Sequence, residues 1–402
     1  MMSFAELVAP LSAEDFLKDY YGRKPVHIAR GADCGPDILN WERLNGLLAL
    51  SPYWTQHHLK LIMKGREALP QNYCDRVETA TGPAMMANPK KVKAMLGMGA
   101  SLVANRVHAI CPEVARVAQI FEERFAAQVG ANVYCSFKDV QAFTTHFDLH
   151  DVFAYQTEGR KTWRIYSARA DNPTHPLPPG DETEKLLASS RGDLLFEATL
   201  EPGDLLYLPR GQYHDALATS EASLHVTFSV SPATGMSLFD LIKGQSDQDT
   251  LFRAYLPDAR HDGGEALRAH LQALADKLSA LVTSPLFEAE VAALQHGLRR
   301  DLPDFTLPET PRPTFYTVHR RARIERTLDD GYRLITDGAT IPLGAAHAAV
   351  GWAMGQRWFT REDLEARYAD IAPAALDRVL DAMAHAGLIA KAQPAQQSAP
   401  IR

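Results

Sequence analysis

The chain has 402 residues, which is more than one ordinary core needs and predicts two or three domains. Its hydrophobic fraction of 46% and charged fraction of 23% are those of a soluble globular protein and exclude a fibrous or wholly disordered chain. The net charge of −7 excludes a chain that attracts nucleic acid over its whole surface, so such a contact would need a local basic patch.

The sequence gives no indication of export or membrane insertion. No window holds the roughly 18 uninterrupted apolar residues that a membrane span needs. The N-terminus lacks the basic stretch and apolar run of a secretory signal. The four cysteines form no CxxC pair, which argues against a disulfide framework and a structural zinc site. We therefore expect a cytoplasmic protein.

The first 130 residues are predicted to mix helices with short strands. Ser12 and Asp15 have the spacing of a capping box at a helix start, and residues 25–29 are typical of a short strand. Apolar residues on one side predict a helix at 36–50. A longer amphipathic helix is predicted from 112 to 129, with Gly130 at its end.

From residue 132 to residue 230 the pattern changes to short β-rich runs separated by turn residues. Examples are VYCSF, TWRIY, DLLYLP and SLHVTFSV. Glycine, proline and aspartate separate these runs, as at Glu158-Gly159 and Pro202-Gly203-Asp204. Many short strands at this spacing predict a β-barrel or β-sandwich.

Beyond residue 232 the pattern is helical. One helix carries leucines at intervals of three and four residues, which is typical of a seam that packs on another helix: Leu267, Leu271, Leu274, Leu278 and Leu281. The seam predicts a homodimer, with packing against a second helix at 285–300 as the alternative. A proline-rich linker is expected at 301–313. The order of strands and helices after it resembles a winged helix, followed by a disordered tail.

The run TTHFDLHD offers two metal ligands. His146 and Asp148 lie two residues apart in what we interpret as a strand, so both side chains are expected on one face. A third ligand is expected from a distant strand, and His214 follows such a strand after a Gly-Pro-Gly frame. Two histidines and one carboxylate form the facial triad of non-haem Fe(II) oxygenases. His150 and His225 remain alternative ligands.

A lysine is predicted on the apolar face of a barrel strand. Lys161, Trp163 and Ile165 alternate with polar residues in RKTWRIY. A lysine on such a face is costly unless it meets an anion, so Lys161 is a candidate partner for the carboxylate of a co-substrate. The alternative is a surface lysine, with Arg160 or Arg164 as the anion partner.

These motifs together resemble one family. The run NVYCSF…THFDLHDVFAYQTEGRKTWRIY…GDLLYLPRGQYHDA…SLHVTFSV is similar to the JmjC-type 2-oxoglutarate oxygenases, and most similar to the ribosomal oxygenase branch, whose members hydroxylate ribosomal proteins. The stretches FLKDYYGRKPVHI and ASLVANRVH also resemble that branch. The resemblance covers nearly the whole chain, and its motifs are specific between residues 132 and 230.

The resemblance implies roles for individual residues. His146, Asp148 and His214 match the family's iron triad, and Lys161 matches the residue that pairs with the far carboxylate of 2-oxoglutarate. Asn132 and Thr227 match positions that line the co-substrate pocket. The implied cofactors are Fe(II), 2-oxoglutarate and O2. One departure from general cupins is Ala218, which stands where many carry an asparagine.

The implied fold is α+β, with a double-stranded β-helix (cupin/JmjC) barrel. We expect a catalytic domain at 1–235, a helical dimerisation region at 236–308, a winged-helix-like domain at 309–391 and a tail at 392–402. Between residues 313 and 391 ten lysines and arginines balance ten acidic residues, and the run HRRARIER is the one basic patch. Direct nucleic-acid binding is therefore not expected.

Three functions remain open at this stage. The first is a protein hydroxylase, with a ribosomal protein as the substrate. The second is a related oxygenase that demethylates a histone-like protein or acts on a small molecule or a tRNA base. The third is a non-catalytic cupin that binds a metal. The first two share every metal ligand, and the third would require an incomplete triad, of which no member is missing.

Overall fold

A computed structural model describes residues 2–30, 37–63, 65–79, 82–137, 144–178, 180–300, 315–319, 322–327, 331–336 and 338–391. The predicted linker at 301–313 and tail at 392–402 lie outside these residues, as does Cys34. The chain divides into two compact units. The first contains residues 1–232 and 298–300, and the second contains residues 233–297 and the residues after 300.

Within the described residues the α-helices are α1 (Phe4–Val8), α2 (Ala13–Asp15), α3 (Trp41–Leu48), α4 (Pro89–Gly97), α5 (Pro112–Phe125), α6 (Asp181–Ser190), α7 (Leu238–Ser246), α8 (Glu265–Val282), α9 (Pro285–Gly297), α10 (His347–Gly355), α11 (Arg361–Arg367) and α12 (Pro373–His385). A π-helical turn, Phe16–Tyr20, continues α2.

The strands of the first unit are β1 (Val26–Ile28), β2 (Leu59–Met63), β3 (Arg66–Glu67), β4 (Cys74–Thr79), β5 (Gly82–Ala87), β6 (Ser101–Ala104), β7 (Ala127–Phe137), β8 (Asp151–Glu158), β9 (Lys161–Arg169), β10 (Leu194–Leu200), β11 (Leu205–Leu208), β12 (Gln212–Ala218) and β13 (Ala222–Pro232). Those of the second unit are β14 (Phe315–Val318), β15 (Arg323–Arg326), β16 (Tyr332–Ile335), β17 (Thr340–Pro342), β18 (Trp358–Thr360) and β19 (Ile389–Lys391).

Two facing sheets form the predicted barrel. Over the described residues the larger sheet has the order β1-β11-β8-β13-β7-β6-β2-β3, and the smaller has the order β10-β9-β12. Apolar side chains from both sheets meet between them, among them Val152 and Ala154 from the larger and Trp163 and Ile165 from the smaller. The pairs are antiparallel, so alternate residues of each strand face this interior.

The opposite face of the larger sheet carries the main core. Alternate residues of β7 and β13, such as Val133 and Phe228, pack there with Phe121 of α5. Rings of Phe121 and Phe153 stack with centroids 4.4 Å apart. The larger sheet is therefore buried on both faces, and its two faces serve different purposes: one packs against helices and the other lines the barrel.

The long helix of the first unit is shorter than the sequence predicts. α5 ends at Phe125 because Ala126 adopts a left-handed conformation, with φ 45° and ψ 56°. Val129 and Gly130, which the sequence assigns to the helix end, belong to β7. The sequence predicted a longer helix because the apolar spacing of residues 125–129 is compatible with both a helix and a strand.

The second unit contains the helices α7–α9 and two three-stranded sheets, β18-β14-β19 and β15-β16-β17, within the described residues. Its core contains Leu334, Phe359, Leu376, Leu380 and Met383. No residue of α8 is fully buried, and Leu271 of the predicted seam has 49% of its surface exposed. Among the described residues, no helix is both long and apolar enough to cross a membrane.

Candidate metal centre

Three predicted ligands converge at the end of the smaller sheet. His146, Asp148 and His214 each offer a ligand atom, and these atoms all lie within 4.8 Å of one another. His214 Nε2 is 3.7 Å from the Asp148 carboxylate, and the imidazole centroids of His146 and His214 are 4.4 Å apart. His214 is 3% exposed, whereas His146 and Asp148 are half-buried.

The backbone around these ligands differs from the prediction. His146 and Asp148 do not lie in a regular strand, because β8 begins only at Asp151. Instead, His146 and His214 form an isolated β-bridge, in which each backbone N–H donates to the other's carbonyl at 3.0 and 2.9 Å. The N–H of Gly211 donates to the carbonyl of Asp148 at 2.9 Å. Tertiary contacts, rather than a strand's alternation, bring the first two ligands together.

Gly211 is required at the turn that precedes His214. Its φ of +83° is left-handed, and a Cβ at this position would lie 2.3 Å from the carbonyl oxygen of Ala170. That carbonyl belongs to the main chain, which cannot move aside easily. Gly211, the second glycine of the Gly-Pro-Gly frame, therefore allows β12 to begin directly after this turn. The start of β12 in turn sets the position of His214.

Hydrogen bonds fix which nitrogen of each imidazole carries the proton. The Nδ1 of His146 is 2.8 Å from the carbonyl of Thr144, and the Nδ1 of His214 is 2.9 Å from the carbonyl of Gln212. Each Nδ1–H donates to that carbonyl, so each Nε2 keeps its lone pair for a metal. This donor set, two Nε2 atoms and a carboxylate, fits a divalent transition metal such as Fe(II).

The electrostatics of the cluster also suit a cation. Burial, together with the neighbouring His146, lowers the pKa of His214 to about 4, so its imidazole is neutral at pH 7. Burial raises the pKa of Asp148, but the adjacent histidines outweigh burial and hold that pKa below its usual value. At neutral pH the cluster therefore presents the neutral imidazole of His214 and the carboxylate of Asp148.

Lys161 lies inside the barrel, on the same strand face as Trp163 and Ile165. It is 4% exposed, and its Nζ lies 5.8 Å from the centroid of the Trp163 ring. Burial lowers the pKa of Lys161 to about 8. No carboxylate among the described residues pairs with it, whereas Arg160 and Arg164 are exposed and face Glu201 and Glu197. The alternative of a surface lysine does not hold.

Other polar atoms of the barrel interior also lack partners. Trp163 Nε1, His225 Nδ1 and Gln156 Oε1 are buried without a hydrogen bond. His225 stacks on Tyr134 with ring centroids 4.9 Å apart. Buried polar groups are normally satisfied, so a buried lysine without a carboxylate partner and three unpaired polar atoms in the barrel interior fit a polar, anionic ligand.

Asn132 and Thr227 face each other on β7 and β13 as a cross-strand pair, and both are half-buried. They share strand faces with Tyr134 and His225, one pair further along. The Oδ1 of Asn132 accepts a hydrogen bond from the backbone N–H of Arg106 at 3.0 Å. Part of the hydrogen-bonding capacity of Asn132 therefore serves the fold.

The two remaining histidine alternatives lie outside the cluster. The Nδ1 of His150 is 3.2 Å from the carbonyl of Asp151, and His225 is buried against Tyr134 and Trp163.

Tyr134 was not predicted from the sequence. Its pKa rises to about 12 because of burial and the nearby Asp148. Its position two residues from Asn132 on a strand was the available signal.

Comparison with known proteins agrees with this geometry. Residues 106–238, which contain all three candidate ligands, match the family model described as the JmjC domain. The matched residues include the strands β7–β13. The cupin-like fold predicted from the sequence and the resemblance to ribosomal oxygenases are both confirmed.

Two curated relatives match the part of the chain around this JmjC domain. The bifunctional lysine-specific demethylase and histidyl-hydroxylase NO66 of Dictyostelium discoideum is 31% identical over 56% of this chain and 42% of its own length. Ribosomal oxygenase 1 of Gallus gallus is 31% identical over 56% of this chain and 36% of its own. The chain spans less than half the length of these relatives.

A solved structure shares the fold over more of the chain. The ribosomal oxygenase YcfD of Escherichia coli, in complex with cobalt and 2-oxoglutarate, aligns with a TM-score of 0.53 and 19% identity. The alignment covers 96% of this chain and 99% of that one. At this identity the likeness establishes a common fold for the JmjC domain and the chain around it.

Proposed function

We propose that the protein is an Fe(II)- and 2-oxoglutarate-dependent dioxygenase that hydroxylates a side chain of a ribosomal protein. The observation that carries the proposal is the pairing of two features in one barrel. A His-Asp-His cluster, in which the Nδ1 of each imidazole is held by a backbone carbonyl, lies at one end of the smaller sheet. A buried lysine without a carboxylate partner in the described chain lies on the same sheet.

His146, Asp148 and His214 would hold the metal, and Lys161 would bind the far carboxylate of 2-oxoglutarate. Lys161 pairs with Ala218 on β12, four residues from His214, which corresponds to roughly 13 Å of strand. That separation suits a small dicarboxylate between the lysine and the metal ligands. Bound Fe(II) with 2-oxoglutarate and O2 supplies the oxidising power for hydroxylation of a C–H bond.

The remaining side chains of the barrel exclude water and orient the co-substrate. Trp163 and Ile165 are buried beside Lys161, and Trp163 also stacks near His214 with ring centroids 5.7 Å apart. Burial strengthens the attraction between the lysine and a carboxylate, because little water screens it. We propose that Asn132 and Thr227 line the same pocket from the larger sheet.

The names of the relatives support a protein substrate. NO66 is described as both a histidyl-hydroxylase and a lysine-specific demethylase, and the chicken and E. coli proteins are described as ribosomal oxygenases. The same metal and co-substrate serve hydroxylation and demethylation, so the choice depends on the substrate groove. We favour hydroxylation of a ribosomal protein because two of these descriptions name a ribosomal oxygenase and the third names a histidyl-hydroxylase.

The cofactor chemistry is tested by anaerobic titration of metal-free protein with Fe(II) and 2-oxoglutarate. We expect a visible metal-to-ligand charge-transfer band in the wild type. The band should be absent in His146→Ala, because a ligand is lost. In Lys161→Ala it should require at least tenfold more 2-oxoglutarate. A folded wild-type protein that binds metal but shows no band would contradict the oxygenase and favour a non-catalytic cupin.

The substrate is tested separately, by incubating the active protein with ribosomal proteins, O2 and 2-oxoglutarate and measuring mass shifts. A gain of one oxygen atom on one residue supports hydroxylation, whereas loss of a methyl group from a methylated substrate supports demethylation. Turnover of 2-oxoglutarate that no ribosomal protein stimulates would contradict this substrate class.

We also propose that the second unit mediates protein contacts. In this proposal residues 236–308 form the dimerisation region, residues 309–391 form a winged-helix-like module, and residues 1–235 form the catalytic domain. Large apolar side chains are exposed along the helical region: Met236, Phe239, Tyr255, Leu256, Leu271 and Val282. Arg361 pairs with Asp377 and Glu365, so its charge is not available to a nucleic-acid phosphate. This pairing favours a protein partner for the module.

A further inference from the structure

A buried hydrogen-bond network lies directly behind the proposed metal ligands. The carboxylate of Asp215, a residue 6% exposed, accepts hydrogen bonds from the hydroxyl groups of Tyr166 at 2.7 Å and Thr145 at 2.9 Å. Arg191 donates to the same two hydroxyls, at 2.9 Å to Tyr166 and 3.0 Å to Thr145. Each hydroxyl thus accepts from the guanidinium and donates to the carboxylate, which closes the network.

The network joins the two chain segments that carry the ligands. Thr145 directly precedes His146, and Asp215 directly follows His214. Successive side chains of a strand point to opposite faces, so Asp215 lies on the far side of β12 from the imidazole of His214. The network therefore acts on the ligands through the main chain.

The segment around His146 needs such support. Among the described residues it pairs with β12 through an isolated bridge and the bond from Gly211 N–H to the Asp148 carbonyl, not through the continuous ladder of a regular strand. A side-chain bond from Thr145 to Asp215 stands beside that bridge. On the other side of His146, the ring of Phe147 packs edge-on against Tyr213 with centroids 5.3 Å apart. The hydrogen bond and the ring contact flank the bridge on consecutive residues.

The other two members anchor the network to the rest of the barrel. Tyr166 belongs to β9, the strand between β10 and β12. Arg191 follows α6, and its guanidinium lies 4.2 Å from the centroid of the Tyr166 ring. Charged groups in a buried network form stronger hydrogen bonds than neutral groups in water, so this arrangement resists displacement.

We propose that Asp215 is a positioning residue which, with Thr145, Tyr166 and Arg191, fixes the separation of His146 and Asp148 from His214 before a metal binds. The inference rests on the proposed metal role of those three ligands. Without the network fewer contacts would hold the segment, and part of the metal-binding free energy would be spent on ordering it.

The test measures Co(II) binding to the metal-free protein. Thr145→Val removes one hydroxyl at nearly constant volume, and we expect the dissociation constant for Co(II) to rise about tenfold or more. Thr145→Ser keeps the hydroxyl and should retain wild-type affinity. Thr162→Val is the matched control, because the Thr162 hydroxyl bonds only Thr199 on the same sheet, at 2.8 Å. It should bind Co(II) as the wild type does.

Tyr166→Phe and Asp215→Asn provide independent variants should Thr145→Val fold poorly, as judged by thermal unfolding of the metal-free protein. Both should weaken Co(II) binding, and Thr145→Val combined with Tyr166→Phe should lose less than the sum of the two, because both act through one carboxylate. Raised Fe(II) should restore turnover of Thr145→Val, with the KM for 2-oxoglutarate unchanged.

The outcomes separate this inference from the proposed function. Tight Co(II) binding by the wild type, with Thr145→Val and Tyr166→Phe within twofold of it, overturns the positioning role and leaves the function standing. An equal loss in Thr162→Val also overturns it, since any lost hydroxyl on the sheet would then suffice. A wild-type protein that binds no Co(II) overturns both.

Discussion

Lys161 shows how one residue links the barrel's packing to its chemistry. Its neighbours Trp163 and Ile165 exclude water, and this burial lowers the pKa of the ammonium to about 8. A buried ammonium without a carboxylate partner is unfavourable in the ligand-free protein. A bound dicarboxylate removes this cost, so the lysine gains more from the ligand than a surface lysine would.

The first prediction at this scale concerns pH. Above about pH 8 the free protein loses the Lys161 proton, and binding of 2-oxoglutarate must then take up a proton. We expect affinity for 2-oxoglutarate to fall as pH rises from 7.5 to 9.5. In Lys161→Met binding should be at least thirtyfold weaker and should not vary over this range, because about 2 kcal/mol or more of ion pairing is absent. Calorimetry with Mn(II)-loaded protein measures both.

The stability of the ligand-free protein provides the control. Between about pH 8 and 10.5 the unfolded chain keeps the Lys161 proton that the folded chain has released, so this group makes the wild type more stable as pH rises through that window. Lys161→Met should lack this contribution. A wild-type stability curve parallel to that of Lys161→Met across the window would contradict the burial of a charged lysine.

At the scale of elements, the barrel depends on tight connections between its strands. The turn between β8 and β9 places Lys161 at the start of its strand, directly after Gly159 and Arg160. Gly159 has φ +64°, and a Cβ there would lie 1.9 Å from the carbonyl oxygen of Ala222. The hairpin and the adjacent β13 therefore approach more closely than any side chain would permit.

The second prediction is that Gly159→Ala destabilises the catalytic unit by about 2 kcal/mol or more, because it combines a left-handed backbone with a clash against the main chain. Gly46→Ala is the control, since Gly46 lies in α3 with open space around its Cα. That change should stabilise α3 by about 0.5–1 kcal/mol. Urea unfolding followed by circular dichroism measures both. Similar midpoints for the two variants would disprove the close approach.

For the whole molecule, the division into two units separates the chemistry from the candidate contact surfaces. Every proposed ligand and pocket residue lies in the first unit. The segment 298–300 also belongs to that unit, where Arg300 Nε donates to the buried carboxylate of Glu122 at 2.6 Å. The leucine seam of α8, in which Leu271 is exposed and the other leucines are half-buried, lies in the second unit.

The third prediction concerns that seam. Leu271 is 49% exposed, so Leu271→Glu should leave the protomer folded while placing a charge on the proposed dimer surface. We expect the wild type to have the mass of a dimer by light scattering at micromolar concentration and the variant to shift towards a monomer. Ala269→Glu, on the opposite face of α8, should leave the mass unchanged. A monomeric wild type would contradict the dimer.

The sequence by itself determined the strands, because alternation of apolar and polar residues is a local property, but this pattern left a barrel and a sandwich open until the resemblance favoured the barrel. It also placed Lys161 on the same strand face as Trp163 and Ile165, and the structure decided between a buried and a surface lysine. The three candidate ligands were predicted from two motifs, the stretch that contains His146 and Asp148 and the distant turn before His214. The resemblance added Asn132 and Thr227.

Only the tertiary structure decided how these residues are held. The strand expected at His146 is an isolated bridge, and α5 ends at Phe125 because Ala126 turns left-handed. The network of Asp215 joins residues 145, 166, 191 and 215, whose contacts have no periodic signal along the chain. Such contacts depend on which strands become neighbours, and that follows from packing of the whole barrel.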